Sequence, residues 1–290
     1  MYRIKNAVLV IDLVMMMAIT IYALIALFAE GFAWAWLGAM MTTVPFLAFL
    51  GRVMVRQDLA RTSANLPALL GLGLIGVGVA IYGYSEGEPL MALILASLGF
   101  GGFLIYDFWF SRLGRSSSSA LAKGQELPAF ELENQQGQTV NSHDFKGRPA
   151  LFIFFRGNWC PLCMAQIREV AAEYRDLDAH GVQVILISPQ PHGHTKELAS
   201  RFDVPFEFLV DRDNRAAEQL GIAMKGGTPI GMGRQGYDED TVLPTVFITD
   251  AEGTIIFCDE TDNYRVRPEP RTFIRALEEH GITASAGSPA

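Results

Sequence analysis

Apolar residues fill four long stretches of the first 110 positions. Each stretch is long enough to cross a hydrocarbon layer of about 30 Å as a helix rising about 1.5 Å per residue. A secretory signal is the rival interpretation of the first stretch, but that stretch is too long and three more follow it. The pattern therefore predicts an α-helical membrane domain, residues 1–113, with four transmembrane helices at about Ala7–Ala29, Phe32–Leu50, Leu66–Tyr84 and Leu90–Phe110.

Positive charges occupy only one set of the predicted loops. Seven Lys and Arg residues lie before the first stretch, between the second and third, or after the fourth: Arg3, Lys5, Arg52, Arg56, Arg61, Arg112 and Arg115. The other two loops contain Glu30, Glu86 and Glu88 but no Lys or Arg. Because basic loops stay on the cytoplasmic side, we expect a multi-pass protein of the cell membrane. Its partner is the lipid bilayer, and both termini are predicted to be cytoplasmic.

Chemistry-bearing residues are sparse in this half. Asp12 and Asp107 lie near the predicted cytoplasmic boundary, where they either pair with an arginine (Arg52, Arg56 or Arg112) or form a proton or substrate site. The first histidine of the chain is His143 and the first cysteine is Cys160. The predicted spans therefore contain no thiols to relay electrons and no histidine pair to ligate a haem.

The second half has a different pattern. Residues 114–122, with a run of four serines, predict a flexible linker, and the small and polar residues 284–290 predict a flexible tail. Between them, residues 123–283 alternate strand and helix patterns. Unbroken apolar runs at Ala150–Phe155 and Val182–Ile187 are typical of strands buried on both faces.

Further strands are predicted at Phe130–Glu133, Thr139–Asn141, Phe206–Val210, Thr245–Thr249 and Thr254–Cys258. Helices are predicted at Pro161–His180, Thr195–Phe202, Asn214–Leu220 and Pro270–His280. Together these elements predict an α/β domain with a central mixed sheet and helices on both sides.

Charge separates the two halves further. Of the formal net charge of −8, residues 1–115 contribute +1 and the remainder −9. A nucleic-acid partner requires a basic face, so the acidic second half argues against nucleic-acid binding.

The stretch Arg156-Gly-Asn-Trp-Cys-Pro-Leu-Cys163 follows a predicted buried strand and opens a predicted helix. A zinc site would need two more ligands, and Cys258 with His192 or His194 does not form a paired motif. A redox pair fits better, because free N–H groups and the dipole at a helix start favour a thiolate. Pro161 suits the first helical turn, where its missing N–H costs nothing. We therefore predict Cys160 as the exposed nucleophile and Cys163 as the resolving thiol, with no metal or cofactor.

Four segments carry a family resemblance: Gly124–Phe130, Asp144–Gly147, residues 156–163 and Leu243–Ile248. Through them, residues from about Lys123 to Ile282 resemble the redoxin, or peroxiredoxin-like (AhpC/TSA), family of the thioredoxin-like superfamily. The resemblance implies a thioredoxin-like fold and an antioxidant thiol oxidoreductase. It also implies that Pro244 is a cis proline facing the nucleophilic cysteine, with exposed backbone beside it where a substrate docks. The predicted substrate-binding residues are accordingly Trp159, Pro161, Leu243 and Thr245.

The chain departs from the family pattern in three ways. Peroxiredoxins place Thr or Ser three residues before the reactive cysteine; that position is Gly157 for Cys160, and Cys160 itself for Cys163. The segment Thr245–Ile248 lacks the arginine that peroxiredoxins have there, and Arg156 is either its substitute or an ordinary strand-end residue. The acid that thioredoxins bury in the strand before the motif is also missing.

Several other residues have two interpretations. Trp159 is either a packing lid beside the thiol or a substrate contact, and Cys258 is expected to be a buried small apolar residue. His192 and His194 face either solvent or the edge that carries Cys160. The glycine-rich segment 225–240 is either a cover over the site or a long surface loop.

The sequence therefore predicts a membrane-anchored thiol oxidoreductase. Its substrate is a hydroperoxide or a disulfide, and a cellular thiol is its reductant. The alternative is a redox-sensing or interaction subunit whose cysteine pair acts as a switch. A weaker alternative couples the membrane helices to transport or quinone binding.

Overall fold

The structure, a computed structural model, describes residues 1–285; residues 286–290 of the predicted tail lie outside the described residues. The chain forms two compact units. One contains residues 3–58 and 62–113, and the other contains residues 1–2 and 59–61 together with the chain from Gly114 onward.

The first unit consists of four long helices. They are α1 (Tyr2–Glu30), α2 (Trp34–Arg56), α3 (Pro67–Ser85) and α4 (Leu90–Leu104), the last continuing as a π-helical turn over Ile105–Phe110. All four have the length and hydropathy of a membrane span. Four helices therefore lie where the sequence predicts transmembrane helices, with bounds that differ from the predicted ones by up to six residues.

Small residues let these helices approach closely. A Cβ atom added to Gly38 of α2 would lie 2.5 Å from the carbonyl oxygen of Gly76 and 2.6 Å from the amide nitrogen of Ala80 on α3. Both neighbours are backbone atoms, so α2 and α3 pack with almost no space between them. Ala92 and Ala96 of α4 are likewise fully buried.

The charged residues of the unit are engaged near the helix ends. Asp107 accepts a hydrogen bond from the Leu66 amide at the start of α3 (3.5 Å), and Asp12 is buried. Arg52, one of the arginines expected to pair with these acids, instead pairs with Asp58 (3.1 Å). Lys5 donates to the carbonyl oxygen of Trp109 (2.8 Å), where a cation stabilises the carboxyl end of a helix.

The second unit is built on a seven-stranded mixed sheet in the order β2-β1-β5-β4-β3-β8-β9. β3 pairs in parallel with β4 and antiparallel with β8. Two further strands, β6 and β7, form a separate antiparallel pair. The strands are β1 (Glu131–Glu133), β2 (Thr139–Asn141), β3 (Ala150–Phe154), β4 (Gln183–Ser188), β5 (Glu207–Val210), β6 (Ala223–Met224), β7 (Thr241–Val242), β8 (Thr245–Thr249) and β9 (Ile255–Asp259).

Five helices accompany the sheet: α5 (Pro161–Ala172), α6 (Tyr174–Ala179), α7 (His192–Ala199), α8 (Arg215–Gln219) and α9 (Pro270–Glu279). The predicted helix over Pro161–His180 is interrupted at Glu173, which has φ −96° and ψ 15°. This arrangement confirms the predicted α/β thioredoxin-like domain with a central mixed sheet.

The core includes strand β3, whose five residues are all buried. The rings of Phe152 and Phe247 stack across the β3–β8 pair with centroids 4.8 Å apart. Strand β3 is therefore held in place by pairing with β4 and β8 and by the packing of its side chains. It ends at Phe154, just before the cysteine motif.

Residues 114–122 differ from the predicted flexible linker. Ser118 donates its amide to Glu260 (3.0 Å) and its hydroxyl to the carbonyl oxygen of Leu220 (2.5 Å), and Leu121 is buried. Serine composition favours a solvated chain, but here specific acceptors and one apolar anchor hold the segment against the second unit.

Candidate active site

The cysteine motif lies at a strand–turn–helix junction. The Phe155 amide still bonds to the carbonyl oxygen of Ile187 on β4 (2.9 Å), and α5 begins six residues later at Pro161. Cys160 is the N-cap residue, and its Sγ accepts a hydrogen bond from the Cys163 amide (3.4 Å). The helix start thus directs a free N–H group at a sulfur, as the sequence predicts.

The turn itself requires glycine. Gly157 has φ +142°, a conformation that residues with a side chain rarely adopt. A Cβ atom there would also lie 2.8 Å from Nε1 of Trp159 and 3.3 Å from the ring of Tyr237. The Thr or Ser expected from the family pattern therefore cannot occupy this position without displacing both rings.

A buried arginine contacts both thiols. Arg267 lies in the irregular segment between β9 and α9 and is 6% exposed. Its Nη2 is 3.5 Å from Sγ of Cys163 and 3.9 Å from Sγ of Cys160, and its Nη1 donates to Oε1 of Gln166 (2.8 Å). One guanidinium group therefore serves both sulfurs and is oriented by a residue of α5.

The two thiols titrate as a pair. Burial opposes ionisation of Cys163, but its hydrogen bond with Cys160 and the charge of Arg267 outweigh burial and lower the pKa of Cys163 to about 5. Burial, together with the hydrogen bond and charge of Cys163, raises the pKa of Cys160 well above its ordinary value. At neutral pH the pair thus holds one proton and one negative charge, and the charge favours Cys163.

The pair is covered rather than open. Cys160 is only 2% exposed and Cys163 is fully buried, so the expectation of an exposed Cys160 is wrong. Segment 225–240, which we call the cover, lies beside the motif: its Tyr237 ring would be 3.3 Å from a Cβ atom added to Gly157. The ring of its Tyr237 stacks on His194 with centroids 4.6 Å apart, and its Gln235 carbonyl oxygen lies 2.9 Å from Nε2 of His194.

Arg156 ties this cover to the motif. Its Nη2 donates to the carbonyl oxygen of Gly227 (2.6 Å), and its guanidinium lies over the ring of Trp159, 4.6 Å from the centroid. Thr241 donates to the Arg156 carbonyl oxygen (2.9 Å). Arg156 thus braces segment 225–240, while its charge also favours ionisation of both cysteines.

The residues predicted to bind substrate differ in exposure. Trp159, Pro161 and Pro244 are partly exposed, whereas Leu243 and Thr245, on either side of the proline, are buried. Every peptide bond within residues 1–285 is trans, so the expectation of a cis bond before Pro244 is wrong. The trans form is the one that an X–Pro bond prefers by about 0.5–1 kcal/mol.

A second buried arginine supports the proline. Arg115 donates to the Pro244 carbonyl oxygen (2.9 Å), to Oγ1 of Thr245 (3.1 Å) and to Glu260 (2.8 Å). The Arg115 and Glu260 side chains are 1% and 10% exposed, so this is a buried ion pair. It fixes the end of β8 next to β3, where Thr245 pairs with Phe154.

The remaining candidates lie outside this cluster. Cys258 is on β9, and burial together with Glu260 raises its pKa to about 12. His192 opens α7, with Nε2 3.1 Å from Oε2 of Glu133. Of the two histidines, the described contacts therefore bring only His194 to the cover of the site.

Sequence reasoning missed Arg267 and Arg115. Arg267 follows Cys163 by 104 residues and lies in a segment without regular secondary structure. The alternation Arg265-Val266-Arg267 beside β9 is the one signal, since both arginines are buried. Arg115 follows the fourth predicted span, and basic residues commonly flank membrane spans. The sequence therefore indicates only a loop charge at this position.

Comparison with known proteins agrees with this geometry. The AhpC/TSA family matches residues 123–258. Peroxiredoxin Q of Oryza sativa subsp. japonica, a chloroplastic protein, is 30% identical over 131 residues, which are 44% of this chain and 59% of that relative. The thiol-disulfide oxidoreductase ResA of Geobacillus thermodenitrificans is 24% identical over 167 residues, covering 57% of this chain and 80% of ResA.

A further relative is covered almost completely. The Haemophilus influenzae protein named peroxiredoxin bcp is 31% identical over 157 residues, which are 54% of this chain and 96% of that protein. The residues matched by the family, 123–258, contain the cysteine pair and the central sheet up to the first residues of β9. The chain therefore belongs to the AhpC/TSA family.

Proposed function

We propose that this protein is a membrane-anchored thiol oxidoreductase that reduces hydroperoxides through Cys160 and Cys163. The observation that carries the proposal is the contact of one buried guanidinium, Arg267, with both sulfurs of a pair at a helix start. A thiolate is the reactive form of cysteine, and a positive charge in a desolvated site stabilises it.

The pair supplies both sulfurs that the reaction needs. The thiolate of Cys163 accepts the proton of Cys160 as the Cys160 sulfur attacks the terminal oxygen of the hydroperoxide. The O–O bond breaks, Cys160 becomes a sulfenic acid, and the leaving alkoxide takes a proton from solvent to form an alcohol. The Cys163 thiol then attacks the sulfenic sulfur, releasing water and forming the disulfide. Two electrons from a cellular thiol reductant restore the pair.

Two orphaned donors favour a peroxide over a disulfide substrate. Nε1 of Trp159 and Nε of Arg156 are buried and have no hydrogen-bond partner among the described residues. Buried donors normally find an acceptor, and the two oxygens of a hydroperoxide accept hydrogen bonds better than disulfide sulfur does. The cover formed by Tyr237 also suits a small group more than a protein chain.

Disulfide exchange is the second candidate. Gly157 replaces the hydroxyl residue of peroxiredoxins three positions before Cys160, and the relative ResA is named a thiol-disulfide oxidoreductase. In this chemistry the Cys160 sulfur attacks a disulfide sulfur and forms a mixed disulfide. Cys163 then attacks Cys160 and releases the reduced product.

We further propose that α1–α4 cross the membrane with both termini in the cytoplasm. The charge distribution supports this orientation, since all seven Lys and Arg residues of this half lie before or at the start of α1, from the end of α2 to the start of α3, or after α4. Of the exposed large apolar side chains, all but Ile230 lie within residues 1–109, as expected for helices that face lipid.

The test is turnover by the purified full chain in detergent micelles. Hydrogen peroxide, a lipid hydroperoxide and insulin disulfides are offered separately, with dithiothreitol as reductant. We expect peroxide consumption that is lost in Cys160→Ser and Cys163→Ser. The matched control is Cys258→Ser, which removes a thiol outside the site and should retain activity.

Each result has a distinct meaning. Insulin reduction without peroxide turnover would replace the first candidate with the second. Full activity of Cys160→Ser in both assays would overturn thiol catalysis at this site, and trapping of a sulfenic acid in Cys160→Ser would move the attack to Cys163.

A further inference from the structure

The charge of Arg267 has an unusual partner. Arg267 is 6% exposed, and the other hydrogen bonds of its side chain go to the neutral acceptors Gln166 Oε1 (2.8 Å) and Tyr264 O (3.3 Å). Its charge interacts with Cys163 and Cys160 before any carboxylate, and Asp259 makes only a smaller contribution. The thiolate of the pair is therefore the main counter-charge of a buried cation.

Oxidation removes that counter-charge. A disulfide carries no charge and accepts hydrogen bonds weakly, so disulfide formation leaves the Arg267 guanidinium buried without its thiolate. A buried charge that loses its partner is strongly destabilising. The cost falls on the oxidised form alone, because the reduced form retains the ion pair.

We propose that Arg267 sets the redox poise of this centre: it stabilises the reduced, singly ionised pair and so makes the Cys160–Cys163 disulfide a strong oxidant that a small thiol readily reduces. The inference rests on the proposed thiol chemistry, but not on a peroxide as the substrate. Arg267 acts on the reacting sulfurs directly, through Nη2 at 3.5 and 3.9 Å.

The proposal determines how many protons the cysteine pair takes up when its disulfide is reduced. Two glutathione molecules reduce the disulfide and become glutathione disulfide, giving two electrons to the pair. Their two thiol protons are divided: one stays on the pair, and one is released to solvent because the second sulfur remains a thiolate. The apparent equilibrium constant for reduction must therefore rise about tenfold per pH unit between pH 6 and 7.5.

The direction of this pH dependence follows from the low pKa of Cys163. The pKa of Cys163 is lowered to about 5, whereas the glutathione thiol remains protonated throughout this window. A pair without its guanidinium would keep both protons, and its equilibrium constant with glutathione would not change with pH in the same range.

The experiment is a redox titration of the full chain in detergent micelles, in a Cys258→Ser background that leaves only the pair. The protein is equilibrated with glutathione and glutathione disulfide at pH 6.0, 6.8 and 7.5. The thiols are then trapped by alkylation, and the reduced fraction of the peptide containing Cys160 is measured by mass spectrometry. Arg267→Met and Arg267→Lys are compared with Arg168→Met, which removes an exposed charge from α5, the helix that begins at the cysteine pair.

We expect the tenfold slope in the parent and in Arg168→Met. In Arg267→Met the slope should vanish, and the constant at pH 7 should fall roughly ten- to 100-fold, as the loss of a shared ionised form requires. Arg267→Lys should keep the slope with a smaller fall. A flat profile in the parent, or the parent slope in a folded Arg267→Met, would overturn the proposal.

The pH dependence of the equilibrium constant in the parent requires no substitution at Arg267. It therefore tests the proposal even if Arg267→Met misfolds. The measurement also needs no turnover. Loss of peroxide activity with the expected slope would refute the proposed substrate but keep the role of Arg267, and a pair that never forms a disulfide would refute both.

Discussion

Replacing Arg115 with methionine tests the buried ion pair that supports Pro244. The substitution removes the 2.8 Å contact with Glu260 and the donors to Pro244 O and Thr245 Oγ1. Methionine fills a similar volume but leaves Glu260, 10% exposed, as an uncompensated charge. Breaking a buried pair in this way costs about 3–5 kcal/mol. The Ser118 amide still donates to Glu260, so we expect about 3 kcal/mol.

The assay is urea unfolding of the full chain in detergent micelles, with the unfolded fraction read by pulse proteolysis. The double variant Arg115→Met, Glu260→Gln removes the stranded charge and should recover about 1–2 kcal/mol of the loss. The control is Arg215→Met in the exposed pair with Asp213 (3.3 Å, side chains 74% and 63% exposed), which should change stability by less than about 1 kcal/mol. An Arg115→Met protein within 1 kcal/mol of the parent, or no recovery in the double variant, would refute this account of the pair.

Three further predictions concern other parts of the chain. Gly38→Leu should separate α2 from α3, because even a Cβ there would lie 2.5 Å from the Gly76 carbonyl oxygen; the helical unit should unfold at lower sodium dodecyl sulfate content, whereas leucine at Gly78, which has open space, should be tolerated. Cys258, which is partly buried, should resist iodoacetamide at pH 8, since a pKa of about 12 leaves it protonated, and rapid labelling would contradict the raised pKa. Tyr237→Ala should speed alkylation of Cys160 by a bulky maleimide severalfold, and an unchanged rate would show that the ring does not limit access.

The parts of the site that the sequence predicts are local. A buried apolar run, a glycine, two cysteines and a proline at the first helical position are consecutive, and each follows a short-range rule. The structure accordingly places Cys160 at the N-cap of α5 and Pro161 directly after it. The four long apolar helices are equally local, since length and hydropathy within one segment predict them.

The parts that the sequence does not predict depend on distant partners. Arg267 reaches the thiols from 104 residues away. Segment 225–240 contacts α7 through the stacking of Tyr237 on His194. Segment 114–122 has the composition of a linker, but Glu260 supplies acceptors for its amides. Composition and periodicity describe a segment by itself, so they do not show which distant residues pair. The alternation Arg265-Val266-Arg267 indicates that the arginines are buried but names no partner.

The distance in sequence between Cys163 and Arg267 has a consequence during synthesis. A ribosome adds about 5–20 residues per second, so the cysteine pair exists for roughly 5–20 seconds before Arg267 is made. Strand β8, which completes the pairing of β3, also arrives late. During that interval the nascent thiols lack the guanidinium and have the ordinary, weak reactivity of free cysteine. The centre therefore becomes reactive only after Arg267, 104 residues beyond Cys163, has been made and has folded against the pair, which protects the nascent cysteines from premature oxidation.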